Sequence, residues 1–95
     1  MKKGYVYIIT NYTKKTLYIG VTTNLKERIE QHQNEIGSEF TKKYKCKYLL
    51  YYEEYECYND AIEREKKLKN WKREWKLELI KKVNSEMKFL NSEMM

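Results

Sequence analysis

The hydrophobic period of the chain changes between residues 17 and 36, and this change constrains the fold more than any other feature. Over residues 17–21, apolar side chains occupy every second position, which is the period of a β-strand. Over residues 25–36, they are spaced as on one face of an α-helix. Asn24 stands at the junction, where its side chain can accept a hydrogen bond from the first helical turn. We therefore predict a strand that runs through Gly20 and leads directly into a helix.

A second strand precedes this one. Residues 5–9 are aromatic or β-branched throughout, which predicts an inner strand covered on both faces. Residues 11–14 are polar and turn-like, and residues 16–21 return as the second strand of a hairpin. A four-residue loop would set Tyr7 directly opposite Tyr18 on one face of the sheet. A shift by one residue would instead send the two phenols to opposite faces.

The rest of the chain reads as a third strand followed by two helices. Residues 48–55 are predicted to be the strand, after a basic connection with one helical turn around Phe40 and Tyr44. Helices are predicted over residues 61–69 and 71–83, with a bend between them near Asn70. Either of two side chains can cap the first of these helices. The candidate caps are Asn59 and Asp60.

Length, charge and cysteine usage narrow the class of protein. Ninety-five residues make one domain, and a net charge of +6 favours a polyanionic partner, nucleic acid before a membrane surface. The alternative is a lysine-rich surface that keeps the protein soluble. Two cysteines without a Cys-x-x-Cys spacing and a single histidine argue against a structural zinc site. The apolar runs are short for a membrane span or a signal peptide, so we expect a cytoplasmic protein.

Arg28 and His32 are candidate functional residues on the first predicted helix. Their spacing of four places both side chains on one side of that helix. His32 falls within the apolar stripe and Arg28 lies at its edge. A core histidine bonded to the backbone and a surface arginine are the alternatives.

Glu65 is the anomalous acid of the chain. It projects among Ala61, Ile62 and Leu68 on the apolar side of its helix, whereas Glu63 points almost the opposite way. A carboxylate on an apolar face is costly unless it is paired or holds a cation. A salt bridge to an arginine, or a place at the rim of the stripe, is the alternative to a cation site.

The two C-terminal helices are strongly basic. Residues 63–82 carry nine basic and four acidic side chains, a density that suits contact with phosphates. A solvated helix face is the alternative. Trp71 and Trp75 lie one helical turn apart, and we expect them to pack in the core rather than stack on bases.

These motifs, taken in order, resemble the GIY-YIG nuclease domain over about residues 4–83. Tyr5-Val6-Tyr7 stands where the family has Gly-Ile-Tyr, and Tyr18-Ile19-Gly20 matches Tyr-Ile-Gly. Arg28 follows at the family's spacing, and Glu65 resembles the metal-binding glutamate of a later helix. The small stand-alone bacterial members are closest in kind.

Two departures from the family pattern stand out. In the first motif only Tyr7 carries over, because tyrosine and valine replace the glycine and isoleucine before it. The C-terminal pattern Asn-Pro-x-Trp-x-Asp-Leu appears as residues 84–90, where Asn84 and Leu90 remain but the proline, tryptophan and aspartate are absent.

The resemblance implies an α+β fold, with a three-stranded antiparallel sheet flanked by helices, and hydrolysis of phosphodiester bonds in nicked, branched or otherwise structured DNA. One Mg²⁺ or Mn²⁺ ion would be held by Glu65, and Arg28 would neutralise charge on the phosphoryl oxygens. Tyr18, ranked above Tyr7 as the general base, would take a proton from water once the metal and Arg28 lower its pKa. His32 would assist as a base or orient that tyrosine.

The resemblance also implies a nuclease domain over residues 1–83 and a tail over residues 84–95 that forms a short helix or frays. We expect DNA as the partner, no membrane, and a monomer. Gly20 would let the backbone approach a phosphate closely. The predicted nucleic-acid-binding residues are Gly20, Lys69, Lys72, Arg73 and Lys76.

Two functions of other classes compete with the nuclease. One is a non-catalytic nucleic-acid-binding module on the same fold, which the basic helices support equally well. The other is a protein-interaction domain that makes its contact through Met87, Leu90 and Met94. The intact Tyr18, Arg28, His32 and Glu65 argue against the binding module.

Overall fold

The computed structural model describes residues 2–94, which form a sheet and its flanking helices. The strands are β1 (Gly4–Thr10), β2 (Leu17–Thr22) and β3 (Tyr48–Tyr55). The helices are α1 (Leu25–Gln33), α2 (Glu39–Lys43), α3 (Tyr58–Lys69) and α4 (Arg73–Val83), and a 3₁₀ turn spans Asn91–Met94. Within residues 2–94, every helix is too short or too polar to cross a membrane.

The three strands form one antiparallel sheet in the order β2-β1-β3. Strand β1 lies in the centre, and its residues Val6, Ile8 and Ile9 are fully buried. The predicted inner strand and the α+β fold with a three-stranded antiparallel sheet are therefore confirmed. The third strand also has the predicted bounds.

Alternate residues of β1 enter two cores, one on each face of the sheet. Val6 and Ile8 face α3 and α4, whereas Tyr7 and Ile9 face α1. Because helices cover both faces, the apolar run of β1 has no solvent side. The first core also includes Ile19, Leu50, Ala61, Leu68 and Ile80, and the second includes Leu25, Ile29, Cys46 and Leu49.

The hairpin register differs from the predicted one by two residues. The connection spans residues 11–16 rather than 11–14, so Tyr7 pairs with Gly20 and Ile9 pairs with Tyr18. The loop is longer because the side chain of Asn11 accepts hydrogen bonds from two backbone N–H groups beyond the predicted turn. A shift by an even number preserves the face of each side chain, so the two tyrosines still share one face.

Helix α1 ends three residues earlier than predicted, at Gln33. The backbone of Glu35 has a φ of 59°, which is the left-handed region. The N–H of Ile36 donates to the carbonyl of Gln31, and the N–H of Glu35 donates to that of His32, which is the Schellman arrangement. Ile36 is therefore 69% exposed and does not belong to the apolar stripe.

Helix α3 begins three residues earlier than predicted, at Tyr58. Cys57 is its N-cap but makes no side-chain capping bond. The N–H of Tyr58 donates instead to the carbonyl of Lys2, at 2.9 Å. The predicted cap at Asn59 or Asp60 is wrong because the first turn is tied to the chain that precedes β1.

The predicted bend between the last two helices is confirmed. Asn70 ends α3, and Lys72 is the N-cap of α4. Helix α4 consequently starts at Arg73, two residues later than predicted.

Asn84 satisfies a backbone group that the sheet leaves unpaired. Strand β3 has a bulge at Leu50, opposite the step from Ile8 to Ile9. The buried side chain of Asn84 donates to the Leu50 carbonyl at 2.9 Å. It also bonds the backbone N–H and carbonyl of Lys88, at 3.0 and 2.9 Å. Asn84 thus joins the end of α4, the bulge and the start of the tail.

The tail continues along the outer edge of β3. The N–H of Leu90 donates to the carbonyl of Leu49 at 2.7 Å. The side chain of Asn91 accepts from the N–H of Leu49 and donates to the carbonyl of Lys47, both at 2.8 Å. These bonds cover part of an edge that a terminal strand would otherwise present to other chains.

Replacing Asn84 with alanine should lower the free energy of unfolding by about 1–3 kcal/mol, because the buried Leu50 carbonyl loses its partner. Urea unfolding followed by circular dichroism measures the change. Asn59→Ala, on the exposed side of α3, is the control and should stay within about 0.5 kcal/mol of the wild type. Equal stability of Asn84→Ala and the wild type would contradict the structural role of Asn84.

Candidate active site

Tyr7 extends across the edge strand because its partner there is a glycine. The Cα atoms of Tyr7 and Gly20 are paired between β1 and β2. A Cβ at Gly20 would collide with Cζ and the hydroxyl of Tyr7, so only glycine leaves room for this ring. The sequence predicts a phosphate contact at Gly20, but the structure buries this residue under the phenol. Gly20 therefore positions Tyr7 rather than offering its backbone to a ligand.

A buried chain of hydrogen bonds links Tyr7 to His32 and Thr41. The hydroxyl of Tyr7 lies 3.0 Å from His32 Nε2, and Thr41 Oγ1 lies 3.2 Å from His32 Nδ1. Thr41 donates its own proton to the Ser38 carbonyl at 3.0 Å, so it accepts one from Nδ1–H. Nε2 then carries the lone pair that accepts the Tyr7 proton.

The turn before α2 is shaped around the His32 imidazole. A Cβ at Gly37 would collide with Nδ1 and Cε1 of the ring. Ser38 caps α2 by accepting a hydrogen bond from the N–H of Thr41, at 3.2 Å. This cap fixes the short helix, and the helix places the Thr41 hydroxyl against His32.

Burial shifts the pKa values of both His32 and Tyr7. Removal from water, with a smaller effect from the Arg28 cation, lowers the pKa of His32 to about 4. Burial also raises the pKa of Tyr7 well above its usual value, and the neighbouring Tyr18 raises it further. The imidazole is therefore neutral and Tyr7 is protonated near pH 7. The sequence-based hypothesis of a lowered tyrosine pKa does not describe Tyr7 in its protein environment.

Tyr18 is the more accessible of the two phenols. It is only half-buried, and its ring meets that of His32 edge-on, with 6.0 Å between centroids. On its other side Tyr18 lines an open cleft of about 290 Å³ beside β2. The cleft is lined by Leu17, Tyr18, Ile19, Phe40, Lys69 and Lys76. A ligand in this cleft would contact Tyr18 and leave Tyr7 behind it.

Arg28 places a positive charge beside the same cluster. It is half-buried on α1, one turn before His32. Its positive charge lowers the pKa of both His32 and Tyr7.

Glu65 approaches this edge from the opposite face of the sheet. Its side chain is 14% exposed, and its carboxylate pairs with Lys69 at 3.3 Å rather than with an arginine. Its negative charge raises the pKa of Tyr7, with a smaller effect than burial or the neighbouring Tyr18. The preceding residue, Arg64, anchors α3 to β3 with two hydrogen bonds to Glu53, at 3.0 and 3.1 Å.

The basic residues predicted to bind nucleic acid fall into two groups, those that line the cleft and those that do not. Lys69 and Lys76 lie in the cleft with Tyr18, and burial lowers the pKa of Lys76. Arg73 donates instead to the backbone carbonyl of Lys14, at 3.1 Å, and so connects α4 to the hairpin loop.

Lys72, the other predicted contact, lies near a tryptophan that is not in the core. Its ammonium is 5.7 Å from the ring centroid of Trp75. Trp75 is 49% exposed, whereas Trp71 is partly buried and packs against the core. The expectation that both tryptophans pack inside is wrong for Trp75, because α4 turns that side of the helix outward.

Sequence reasoning did not select Thr41 or Phe40 as functional residues. The Ser38-x-x-Thr41 spacing is a helix-start signal, and it could have placed the Thr41 hydroxyl at the first turn of a helix. No pattern in the sequence connects either residue to His32 or Tyr18. The contacts exist because α2 folds back against α1 and the β2 edge.

Comparisons with known proteins identify the family of the chain. The family model of the GIY-YIG catalytic domain matches residues 3–78. A UPF0213 protein of Staphylococcus aureus (strain Mu3) is 35% identical over 81 residues, which cover 85% of this chain and 98% of the relative. The UPF0213 protein SH2523 of Staphylococcus haemolyticus is 36% identical over 80 residues, which cover 84% and 96%. No solved structure matches the chain.

The chain therefore belongs to the GIY-YIG family, which is of the nuclease type. Its relatives are small proteins that this chain spans almost completely. The predicted family is confirmed.

His32 should remain neutral well below the usual histidine pKa of 6.5, because its folded environment lowers that pKa to about 4. It is the only histidine in the chain, so its imidazole proton signals can be followed by NMR without assignment ambiguity. We expect little change in them between pH 8 and pH 5.5. Since the unfolded chain binds the proton more readily, stability should fall as the pH drops from about 6.5 towards 4. A midpoint near 6.5 in the folded protein would contradict the buried hydrogen-bond chain.

Proposed function

We propose that this protein is an endonuclease that hydrolyses phosphodiester bonds of DNA with the help of one divalent metal ion. The observation that carries the proposal is the convergence of two phenols, a neutral imidazole, a guanidinium and a half-buried carboxylate at the β2 edge. These groups come from four elements, β1, β2, α1 and α3, which suits a constructed site better than a chance cluster. Membership of a nuclease-type family supports the same function.

Glu65 is our candidate metal ligand. Residues 2–94 contain no group of three His, Cys, Asp or Glu side chains that could hold a metal, so Glu65 would act with water and substrate phosphates rather than within a cluster of three such protein ligands. That donor fits Mg²⁺ or Mn²⁺, since Mg²⁺ usually keeps several waters and binds through one or two carboxylates and substrate phosphates. When bound, the ion would polarise the phosphate and stabilise the leaving oxygen. Lys69, which pairs with Glu65, lies in the cleft and is placed to contact a phosphate oxygen instead.

Tyr18 is our candidate for the general base. It opens onto the cleft, whereas Tyr7 is 1% exposed and has a raised pKa. Arg28 lies on the neighbouring helix α1, and its forked donors suit the phosphoryl oxygens on which charge develops.

Tyr7 and His32 are proposed to hold the Tyr18 ring in position from the protein interior. The proton that Tyr7 donates to Nε2 holds the imidazole in one orientation, and that ring packs edge-on against Tyr18. Because His32 is neutral, it adds no positive charge that would compete with Arg28 for the phosphate. We assign both residues to positioning the base.

The remaining expectations extend this proposal. We propose residues 1–83 as the nuclease domain, with the tail over 84–95 acting on stability through its bonds to β3. A monomer, a cytoplasmic location and a preference for nicked or branched DNA stay predictions from the sequence. The non-catalytic binding module remains the competing function, because the basic cleft would serve it as well.

Glu65→Gln should reduce cutting of a flapped DNA duplex in Mg²⁺ or Mn²⁺ by roughly a thousandfold or more, because the metal contributes several kcal/mol to catalysis. Glu63→Gln, exposed on another side of α3, is the matched control and should cut at the wild-type rate. EDTA should abolish cutting by both proteins. Salt-sensitive DNA binding without any cutting by the wild type would favour the binding module. Equal cutting rates for Glu65→Gln and the wild type would show that Glu65 is not the metal ligand.

Thr41→Val should lower kcat by about fivefold with little change in KM, because His32 loses the acceptor that fixes its tautomer, and one hydrogen bond contributes about 1 kcal/mol. Thr41→Ser keeps the hydroxyl and should retain most of the activity. The pH dependence of kcat separates this role from a structural one, since only loss of the fixed tautomer should move the acidic limb. Equal kcat values for Thr41→Val and Thr41→Ser would contradict the role of Thr41.

A further inference from the structure

Three aromatic rings form a ladder that leads out of the cleft. The rings of Tyr18 and Phe40 are stacked, with 5.7 Å between centroids and 27° between planes. Phe40 in turn contacts Tyr44, with 4.7 Å between centroids. We call these three residues the aromatic ladder. It begins at the candidate general base and ends at the surface.

The outer part of the ladder is unusually exposed for aromatic side chains. Phe40 and Tyr44 are each 43% exposed, although a short N-capped helix holds their backbone in place. Phe40 belongs to α2 and Tyr44 is its C-cap residue. The helix is anchored by the bond between Thr41 and His32. The rings are therefore presented on a fixed support and not on a loose loop.

Cations surround the ladder. Lys69 and Lys76 line the same cleft as Tyr18 and Phe40, and Lys43 lies 5.4 Å from the ring centroid of Tyr44. Aromatic surface beside positive charge is the combination that binds single-stranded nucleic acid, where bases stack on rings while lysines neutralise the backbone. An apolar protein partner would not require these lysines.

We propose that Phe40 stacks with an unpaired base of the DNA next to the phosphate that is cut. This inference rests on the proposed nuclease function and defines its substrate as DNA with unpaired nucleotides at the cleavage point. In a continuous duplex each base is stacked between its neighbours, so no base face would be exposed for the aromatic ladder to contact. A single-stranded flap or gap exposes a base face, and the adjoining phosphates would meet Lys69 and Lys76.

The first experiment measures binding in EDTA, where no cutting occurs. The full-length protein is titrated into three probes of one sequence: a single strand, a flapped duplex and a continuous duplex. Each carries the fluorescent base 2-aminopurine at one position, which is unpaired in the first two probes. We expect the unpaired probes to bind about tenfold or more tightly than the duplex, with quenching of 2-aminopurine on binding, because stacking on an aromatic side chain is worth that much per base.

Variants of Phe40 test the assignment. Phe40→Ala should weaken binding to the unpaired probes about tenfold and remove the quenching, with less than a twofold effect on the duplex. Phe40→Trp keeps a stacking surface and should restore both. Tyr12→Ala is the matched control, since Tyr12 is a 75% exposed aromatic residue in the β1–β2 connection, and it should behave as the wild type. Circular dichroism verifies that each variant is folded.

Two results would overturn the inference. One is equal binding of the duplex and the unpaired probes by the wild type. The other is a Phe40→Ala variant that keeps both affinity and quenching, or that loses affinity for all three probes alike. Because binding is measured without metal, these results are independent of the Glu65 experiment. Preferential binding of the unpaired probes without any cutting in Mg²⁺ would refute the nuclease function and support the contact between Phe40 and a base. Cutting of all three probes at one rate would support the nuclease function and refute that contact.

Discussion

The arrangement at the β2 edge depends on one steric constraint, the placement of the Tyr7 ring over Gly20. A side chain at that position would occupy the space of the phenol and push its hydroxyl away from the imidazole. The bond from Tyr7 to His32 orients the ring that packs against Tyr18, and Thr41 and Gly37 fit around the other side of the same imidazole. The absence of a side chain at Gly20 thus helps to fix the relative positions of β1, β2, α1 and α2.

Much of the fold could be predicted because local patterns determine it. The apolar run of β1, the cap at Asn24 and the third strand all depend on neighbours in sequence, and they were predicted with few errors. The errors lie at element boundaries that no sequence pattern indicates. The end of α1 depends on a residue other than glycine adopting a left-handed backbone at Glu35, and the start of α3 depends on the carbonyl of Lys2.

The candidate site residues could be selected from the sequence, but their arrangement in space could not. Spacing and family resemblance selected Tyr18 and Glu65, but no pattern indicates that Glu65 reaches the edge from the far face of the sheet. Helical spacing placed His32 in the core without its partners, because Thr41 lies nine residues away on another helix. The hairpin register could not be read from the loop, since the side chain of Asn11 extends the turn.

The bonds from the tail to β3 make the two edges of the sheet unequal. One edge carries Leu90 and Asn91, whereas β2 is the terminal strand on the other side within residues 2–94. A peptide that joined this sheet by strand addition would therefore dock along β2, directly over the candidate active site. On the proposed function, such a peptide would compete with DNA for the cleft beside β2. An extended peptide complementary to β2 is thus a starting point for an inhibitor of the proposed activity.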